Sequence, residues 1–312
     1  MKIVSLLASG TEIVCALGAG DQLVGRSHEC DNPAWVTALP QCSEPAFDVS
    51  VSSREIDREV NRRIRAGEPL YRIDHGRIAE LRPDVIIAQI HCEVCAVTPS
   101  DLTEENKARV VSLSASSLEE IFGSVELVAE ALGLAEPGLK PRLQAKARST
   151  IGELRERLER VRERTSGRRR PSVVMLEWTD PMFAMGNWGP ELIEIAGGEP
   201  LLGVKGQHSR AIPSEALLEA DPEFLIVAPC GFNLERAEAE RSVLEQLPWW
   251  NDLRSVHEGK VAFADGNFYF NRSGTTIART AGILAEILHD QAFESPTEGV
   301  GWRWYTDRRV RV

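Results

Sequence analysis

Short apolar runs alternate with helix-like patterns over about the first 135 residues of the chain. The run Ile3–Leu7 predicts a strand, and the apolar periodicity that follows it predicts a helix ending at Gly18. The other strands predicted in this part are Leu23–Gly25, Asp84–Ile90 and Arg109–Leu113, and a long helix is predicted at Ser117–Leu132. This alternation favours a parallel sheet covered by helices.

A different pattern separates the two halves of the chain. Between about Leu139 and Thr165, many Arg and Glu residues surround a thin apolar stripe formed by Leu143, Ile151, Leu154, Leu158 and Val161. A stripe this narrow cannot form a core alone, so it predicts a rigid connecting helix. Strand-helix alternation then resumes, with strands predicted at Ser172–Trp178, Phe224–Ala228 and Val261–Ala264 and helices at Trp188–Ala196, Pro213–Glu219 and Thr275–His289.

These patterns divide the chain into two α/β lobes in tandem. We place the N-terminal lobe at residues 1–136, the connecting helix at 137–168 and the C-terminal lobe at 169–290. Residues 291–312 show no clear periodicity and are assigned as a C-terminal tail. The length of 312 residues agrees with two domains of ordinary size. The predicted fold class is therefore α/β with mainly parallel sheets.

The charge and hydropathy of the chain argue against two kinds of partner. A formal net charge of -11 repels nucleic acid phosphates, and no apolar stretch reaches the roughly 18–20 residues of a membrane helix. The N-terminal apolar run, interrupted by Ser9, Thr11 and Glu12, is too short for a secretory signal. We therefore expect a cytoplasmic protein, or a periplasmic or extracellular one whose presequence has been removed.

Cysteines gather in loops that follow predicted strands, which is where α/β proteins bind ligands. The four candidates for a metal site are Cys30, Cys92, Cys95 and Cys230. Thiolates bind zinc, copper and iron-sulfur clusters. Alternatively, each cysteine fills a small buried space, or Cys92 and Cys95 form a redox dithiol. The other two cysteines, Cys15 and Cys42, are interpreted as structural.

Aromatic and polar residues accompany the same loops. Flat rings with few polar groups suit a large planar ligand, and histidine, arginine and glutamate side chains suit its metal, amides or carboxylates. The candidate ligand-binding residues are His28, Glu29, His91, Cys92, Phe183, Trp188, His208, Arg210, Phe268, Tyr269 and Arg272. The chain contains no Walker loop, nucleophile elbow, H-E-x-x-H motif or properly placed G-x-G-x-x-G. The sequence thus favours a binding protein over an enzyme.

Several segments together match a known pattern. They are Ile3–Ile13 with Leu17 and Gly18, Val24–His28, Leu81–Ile86, Glu194–Gly198, Ala220–Pro222 and Gly282–His289. Through these segments the chain resembles the periplasmic binding proteins for iron chelates and cobalamin, which are the class III solute-binding proteins, and within them the cobalamin-binding branch. The resemblance extends over nearly all of residues 2–290.

The resemblance implies two Rossmann-like lobes joined by one long helix, a corrinoid held in a shallow cleft between them, and delivery to an ABC transporter permease. The implied contact loops are His28–Pro33, His91–Cys95, Gly186–Trp188, His208–Arg210 and Phe268–Arg272. We expect aromatic rings to stack on the corrinoid, with His28, His91 or a cysteine near its cobalt. The alternative hypothesis is a cytoplasmic metal or iron-sulfur protein that binds its metal through the four candidate cysteines.

Overall fold

The computed structural model describes residues 1–89, 108–290 and 296–305. The chain divides into two compact units. The first consists of Met1–Glu153 and Ser273–Thr275, and the second of Leu154–Arg272 and Thr276–Val312. Helix Lys140–Thr165 carries the chain from the first unit into the second.

A parallel sheet and its helices form the first unit. In chain order its elements are β1 (Ile3–Ser5), α1 (Ala8–Ala16), β2 (Leu23–Arg26), β3 (Ser43–Pro45), α2 (Ser53–Ala66), β4 (Tyr71–Ile73), α3 (His75–Leu81), β5 (Val85–Gln89), β6 (Arg109–Leu113), α4 (Leu118–Ala135) and the start of α5 (Lys140–Thr165). The parallel sheet has the strand order β2-β1-β5-β6. Strands β3 and β4 form a separate antiparallel pair.

Burial explains the strand pattern of this sheet. The residues from Val85 to Ala88 are fully buried, as a continuous apolar run predicts for a strand covered on both faces. Strand β2 packs closely through Gly25, where a Cβ atom would lie 2.8 Å from both Cys42 Sγ and Leu81 Cδ1. Glycine is therefore needed where β2 meets Cys42 and the end of α3.

A mixed sheet forms the second unit. After the end of α5, its elements are β7 (Ser172–Thr179), β8 (Met182–Ala184), α6 (Gly189–Ile195), β9 (Glu199–Pro200), β10 (Arg210–Ala211), α7 (Ser214–Ala220), β11 (Phe224–Val227), α8 (Leu234–Ala239), α9 (Arg241–Leu244), α10 (Arg254–His257), β12 (Val261–Ala264), α11 (Ile277–His289) and β13 (Trp302–Trp304). The strand order is β10-β8-β7-β11-β12-β13, and β9 pairs with the start of β7. Strands β7, β11 and β12 are parallel, whereas β8, β10 and β13 pair antiparallel with their neighbours.

The observed elements confirm the predicted fold class. Strands β6 and β12 have the predicted bounds, and α5 is the long connecting helix. Its apolar stripe is buried at Leu143, Ile151, Leu154, Leu158 and Val161. Neither α5 nor another helix in the described ranges combines the length and apolarity that a membrane crossing requires.

Some elements were not predicted. The pair β3–β4, helix α2 and strand β13 have no counterpart in the sequence analysis. Strand β13 lies in the segment that lacks periodicity, and it pairs antiparallel with Ala262–Ala264 of β12. A short strand that is placed by its partner leaves little pattern of its own.

Candidate functional site

A loop at the carboxyl edge of the sheet carries the candidate residues that the structure describes in the first unit. Parallel strands end at one edge, and the loop Ser27–Pro33 follows β2 there while α1 begins just after β1. Asn32 Nδ2 donates to Glu12 Oε1 of α1 at 3.1 Å. The Glu12 carboxylate is buried, and its Oε2 also accepts from Thr275 Oγ1 at 3.3 Å. A buried carboxylate thus fixes the loop on α1.

The His28 ring is held by residues of the β3–β4 pair. Its Nδ1 lies 3.2 Å from Ser43 Oγ, and its centroid is 5.4 Å from that of the Tyr71 ring. Burial, followed by the nearby Arg26 guanidinium, lowers the pKa of His28 to about 4. The imidazole is therefore neutral at pH 7, although its side chain is still 19% exposed.

One ring nitrogen of His28 is engaged by the Ser43 hydroxyl. Nδ1 lies within hydrogen-bond distance of Ser43 Oγ, and which of the two atoms donates depends on the tautomer of the ring. Nε2 lies 3.9 Å from Glu29 Oε1, which is too long for a hydrogen bond. A neutral imidazole oriented in this way is the form that coordinates metals.

The Cys30 thiol lies among hydroxyl and carbonyl groups. Thr11 Oγ1 donates to its Sγ at 3.0 Å, Ser27 Oγ lies 3.1 Å away, and Sγ donates to Ser5 O at 3.6 Å. The residue is 1% exposed, and burial raises the pKa of its thiol. Cys30 is therefore a protonated, hydrogen-bonded thiol, which is typical of a packed cysteine.

The other predicted metal-site cysteines are placed differently. Cys92 and Cys95, together with the predicted ligand-binding residue His91, lie outside the described residues, so their roles stay predictions. Cys230 belongs to the second unit, and its N–H donates to Glu177 O at 2.9 Å. Within residues 1–89, 108–290 and 296–305, no three His, Cys, Asp or Glu side chains are grouped so that they could hold a metal ion. The thiol-based metal site therefore stays a prediction that depends on Cys92 and Cys95.

In the second unit, three parallel strands bring their following loops to one edge of the sheet. Trp178 near the end of β7 packs against Phe232 in the loop after β11, with ring centroids 5.1 Å apart. The Arg236 guanidinium lies 4.3 Å from the Phe232 centroid. The loop after β12 joins them, because Asn267 N–H donates to Phe232 O at 2.9 Å. Three loops thus assemble an aromatic and cationic surface.

A single π-helical turn, Gly266–Phe270, carries two of the predicted ring residues. Phe268 and Tyr269 pack edge to face with centroids 4.8 Å apart, and both are partly exposed. Arg272 is buried, its guanidinium lies 4.9 Å from the Phe268 centroid, and its Nε donates to Asn267 O at 2.8 Å. Arg272 therefore holds the Phe268 ring in place while part of that ring remains exposed.

The remaining candidates of the second unit do not form one group. Phe183 in β8 is the register partner of Trp178 in β7, so these residues lie side by side in the sheet. Strand β10, which carries Arg210, lies beyond β8 at the sheet edge, and both Arg210 and His208 are exposed. Trp188 is 7% exposed and belongs to the core at the start of α6. The structure thus brings Phe183 to the aromatic surface and leaves His208 and Arg210 at the edge.

Several residues of these surfaces were not predicted from the sequence. Arg236 follows Phe232 by four residues, and this spacing is a signal that could have indicated their contact. Ser43 and Tyr71 gave no such signal, because they reach His28 only through the β3–β4 pair.

Comparison with known proteins settles the family. The family described as periplasmic binding protein matches residues 3–267 of the chain. The chain belongs to the periplasmic binding protein family. Members of this family are substrate-binding proteins and not enzymes, which confirms the predicted class of protein.

The individual relatives described below share little sequence identity with this chain. The crystal structure of a periplasmic heme binding protein from Pseudomonas aeruginosa has a TM-score of 0.71 and 20% identity, covering 98% of each chain. The periplasmic vitamin B12 binding protein BtuF of Vibrio cholerae has a TM-score of 0.60 and 18% identity, covering 92% of this chain and 96% of its own. The uncharacterized ABC transporter substrate-binding lipoprotein YvrC of Bacillus subtilis (strain 168) is 21% identical over 304 residues, which are 94% of this chain and 81% of YvrC.

Proposed function

We propose that this protein binds a corrinoid or a related metal chelate outside the cytoplasmic membrane and delivers it to an ABC transporter permease. Names of relatives support the proposal: two structures of similar fold are named for heme and vitamin B12, and one relative for ABC transport. Heme and vitamin B12 are both macrocycles around a metal. A binding site for such a ligand needs flat apolar contacts and a group that suits the metal.

The environment of His28 is the observation that carries the proposal. Its lowered pKa keeps the ring neutral, Ser43 Oγ engages its Nδ1, and Nε2 is left without a hydrogen bond to Glu29. An imidazole whose other nitrogen is fixed by a hydrogen bond is a good axial ligand for cobalt or iron. We propose that His28 Nε2 coordinates the metal of the chelate.

The aromatic surface of the second unit supports the same ligand class. Trp178 and Phe268 offer partly exposed rings at adjacent strand ends, the buried Phe232 packs against Trp178, and the partly exposed Arg236 adds a guanidinium group. Rings favour the flat macrocycle, and guanidinium groups favour the amide or carboxylate groups around its rim. We propose that the second unit contacts a flat metal chelate through this surface.

Titration of His28→Ala with aquacobalamin tests the proposal. The unaltered protein should bind the corrinoid saturably, and its visible bands should shift as imidazole nitrogen replaces the bound water. His28→Ala should remove the shift, because it removes the proposed coordinating nitrogen. It should also weaken binding at least tenfold, which corresponds to a loss of about 1.4 kcal/mol of binding free energy. His257→Ala, at an exposed histidine, is the matched control.

Hemin and an iron-hydroxamate chelate, titrated in parallel, identify which chelate is bound. A spectral shift and affinity that are the same in His28→Ala and in the unaltered protein would contradict the role of His28. A complete lack of response to all three chelates would contradict the ligand class.

A further inference from the structure

The C-terminal segment, residues 296–305, belongs to the sheet of the second unit although its sequence shows no periodicity. Within it, Trp302–Trp304 form β13, which pairs antiparallel with Ala262–Ala264 of β12. Trp302 is 2% exposed, so it is a core residue. The segment is therefore packed into the second unit.

Thr297 attaches the start of this segment to α11. Both oxygens of the Glu286 carboxylate accept from the Thr297 N–H at 3.1 Å, and Oε2 also accepts from Thr297 Oγ1 at 2.6 Å. Both residues are buried, so these bonds are shielded from water. The Thr297 carbonyl in turn accepts from the Gly301 N–H at 2.8 Å. The turn that leads to Gly301 is thereby fixed on α11.

Gly301 is bonded to the residue that begins the π-helical turn Gly266–Phe270. Its carbonyl accepts from the Asp265 N–H at 2.9 Å. The Asp265 carboxylate accepts from the Phe268 N–H at 2.7 Å and so caps the turn. Asp265 thus links the C-terminal segment to the backbone of the turn that carries Phe268 and Tyr269.

The Tyr269 ring lies directly against Gly301. A Cβ atom at position 301 would lie 3.1 Å from Tyr269 Cε2 and 3.2 Å from Ile283 Cδ1. Ordinary contacts between carbon atoms are about 3.5–4.0 Å, so glycine is the residue that leaves room for the ring. Tyr269 packs edge to face on Phe268, with centroids 4.8 Å apart. Glycine at position 301 therefore determines where both rings lie.

The same segment also contacts α8, which follows the loop after β11. Arg303 Nη1 donates to Glu238 Oε2 of α8 at 2.7 Å. Helix α8 also carries Arg236, whose guanidinium lies 4.3 Å from the Phe232 centroid. The C-terminal segment is therefore bonded to the elements that follow both β11 and β12, and these elements carry the aromatic surface.

We propose that the C-terminal segment positions the aromatic surface, and that Gly301 is its positioning residue. By leaving space for Tyr269, Gly301 sets the direction in which the Phe268 and Tyr269 rings meet the ligand. This inference rests on the proposed function, because the ligand that gains from the ring position is the flat chelate. A displaced ring loses contact area with a flat ligand and so loses binding free energy.

Fluorine NMR of the whole protein labelled with 3-fluorotyrosine tests the ring position without any ligand. The chain has three tyrosines, so Tyr71→Phe and Tyr305→Phe assign the resonances. Gly301→Val should shift the Tyr269 resonance and leave the Tyr71 resonance unchanged. Gly301→Ala, which adds a single carbon, repeats the test if the valine variant does not fold. The matched control is Gly138→Val, because a Cβ atom at that exposed glycine meets nothing within 4 Å.

Titration of the same variants with aquacobalamin, hemin and an iron-hydroxamate chelate tests the link to the ligand. The chelate that binds the unaltered protein should bind Gly138→Val with equal affinity and Gly301→Val about tenfold more weakly. The visible spectrum of the bound chelate should stay the same, because Gly301→Val leaves the proposed metal ligand His28 in place. Thermal unfolding verifies that each variant is folded at the temperature of the titration, so lost stability does not account for lost affinity.

Two results overturn the proposal. One is an unchanged Tyr269 resonance in the Gly301 variants, and the other is a shifted Tyr269 resonance with unchanged chelate affinity. If none of the chelates binds the unaltered protein, the proposed function fails instead, and the role of Gly301 in ligand binding fails with it. The fluorine spectra then still decide whether Gly301 sets the position of the Tyr269 ring.

Discussion

At the scale of single residues, the sequence predicted the positions of candidate site residues better than their protonation states and contacts. His28 was a candidate because it follows a predicted strand. Its neutral state follows mainly from burial, and the residues that contact its ring, Ser43 and Tyr71, are 15 and 43 positions away in the sequence on an unpredicted strand pair. For Cys30 the sequence left metal binding and packing open, and the hydroxyl groups around its thiol favour packing.

The lowered pKa of His28 predicts how stability depends on pH. Its folded pKa is about 4 against an ordinary value of 6.5, so the unfolded state binds more protons between these values. The free energy of unfolding therefore has its full value, as far as this group is concerned, above about pH 6.5. It falls by up to about 3 kcal/mol as the pH decreases toward 4. Urea unfolding of His28→Gln across this range should show a shallower loss of unfolding free energy than the unaltered protein.

His257→Gln is the control for this measurement, because it removes an exposed histidine from the same unfolding baseline. If His28→Gln and the unaltered protein lose stability in parallel from pH 6.5 to pH 4, the neutral buried state of His28 is wrong.

Glu12 gives a second prediction at the residue scale. Replacing it with alanine leaves the Asn32 amide and the Thr275 hydroxyl without their buried acceptor, so the unfolding free energy should fall by about 3 kcal/mol. Glu12→Gln keeps one acceptor oxygen and should cost less. Denaturant unfolding measures both variants, and equal stability of Glu12→Ala and the unaltered protein would show that this carboxylate does not anchor the loop.

At the scale of elements, periodicity succeeded where packing is regular. Strands β6 and β12 were predicted to the residue, and the stripe of α5 is buried as its spacing indicates. Strands β3, β4 and β13 were missed because each has three residues and takes its place from a partner strand. The π-helical turn at Gly266–Phe270 likewise has no periodic signature.

Truncation of the α5 stripe tests its role. Leu158 is 5% exposed, and Leu158→Ala should lower the unfolding free energy by about 2–5 kcal/mol through lost burial and a cavity. Glu156→Ala, at an exposed position of the same helix, should change it by less than about 0.5 kcal/mol. Thermal or urea unfolding compares the two variants, and equal effects would show that the stripe does not stabilise the protein.

At the scale of the whole molecule, the sequence predicted the fold class and the family. Many segments, each of them a weak signal alone, matched the family pattern together. It could not predict which loop residues meet. The grouping of Phe183, Trp178 and Phe232 follows from strand order and register, and both arise from long-range pairing.

The alternative hypothesis, in which the cysteines bind a metal, predicts a different result from the chelate-binding account. Under the chelate-binding account, serine in place of both Cys92 and Cys95 should leave corrinoid affinity within about twofold, well below the tenfold change that 1.4 kcal/mol would produce. The purified variant should also match the unaltered protein in metal content. Loss of a stoichiometric metal in this variant alone would favour the metal-binding alternative.

The most direct test of the central claim is a ligand titration of the protein purified without oxygen, after its metal content and visible spectrum have been recorded. Binding of added cobalamin, hemin or an iron-hydroxamate is measured by the quenching of the fluorescence of its seven tryptophans. The account predicts metal-free protein and saturable one-to-one quenching by at least one of these chelates. Stoichiometric metal or a cluster absorption, with no response to any of the three, would contradict it.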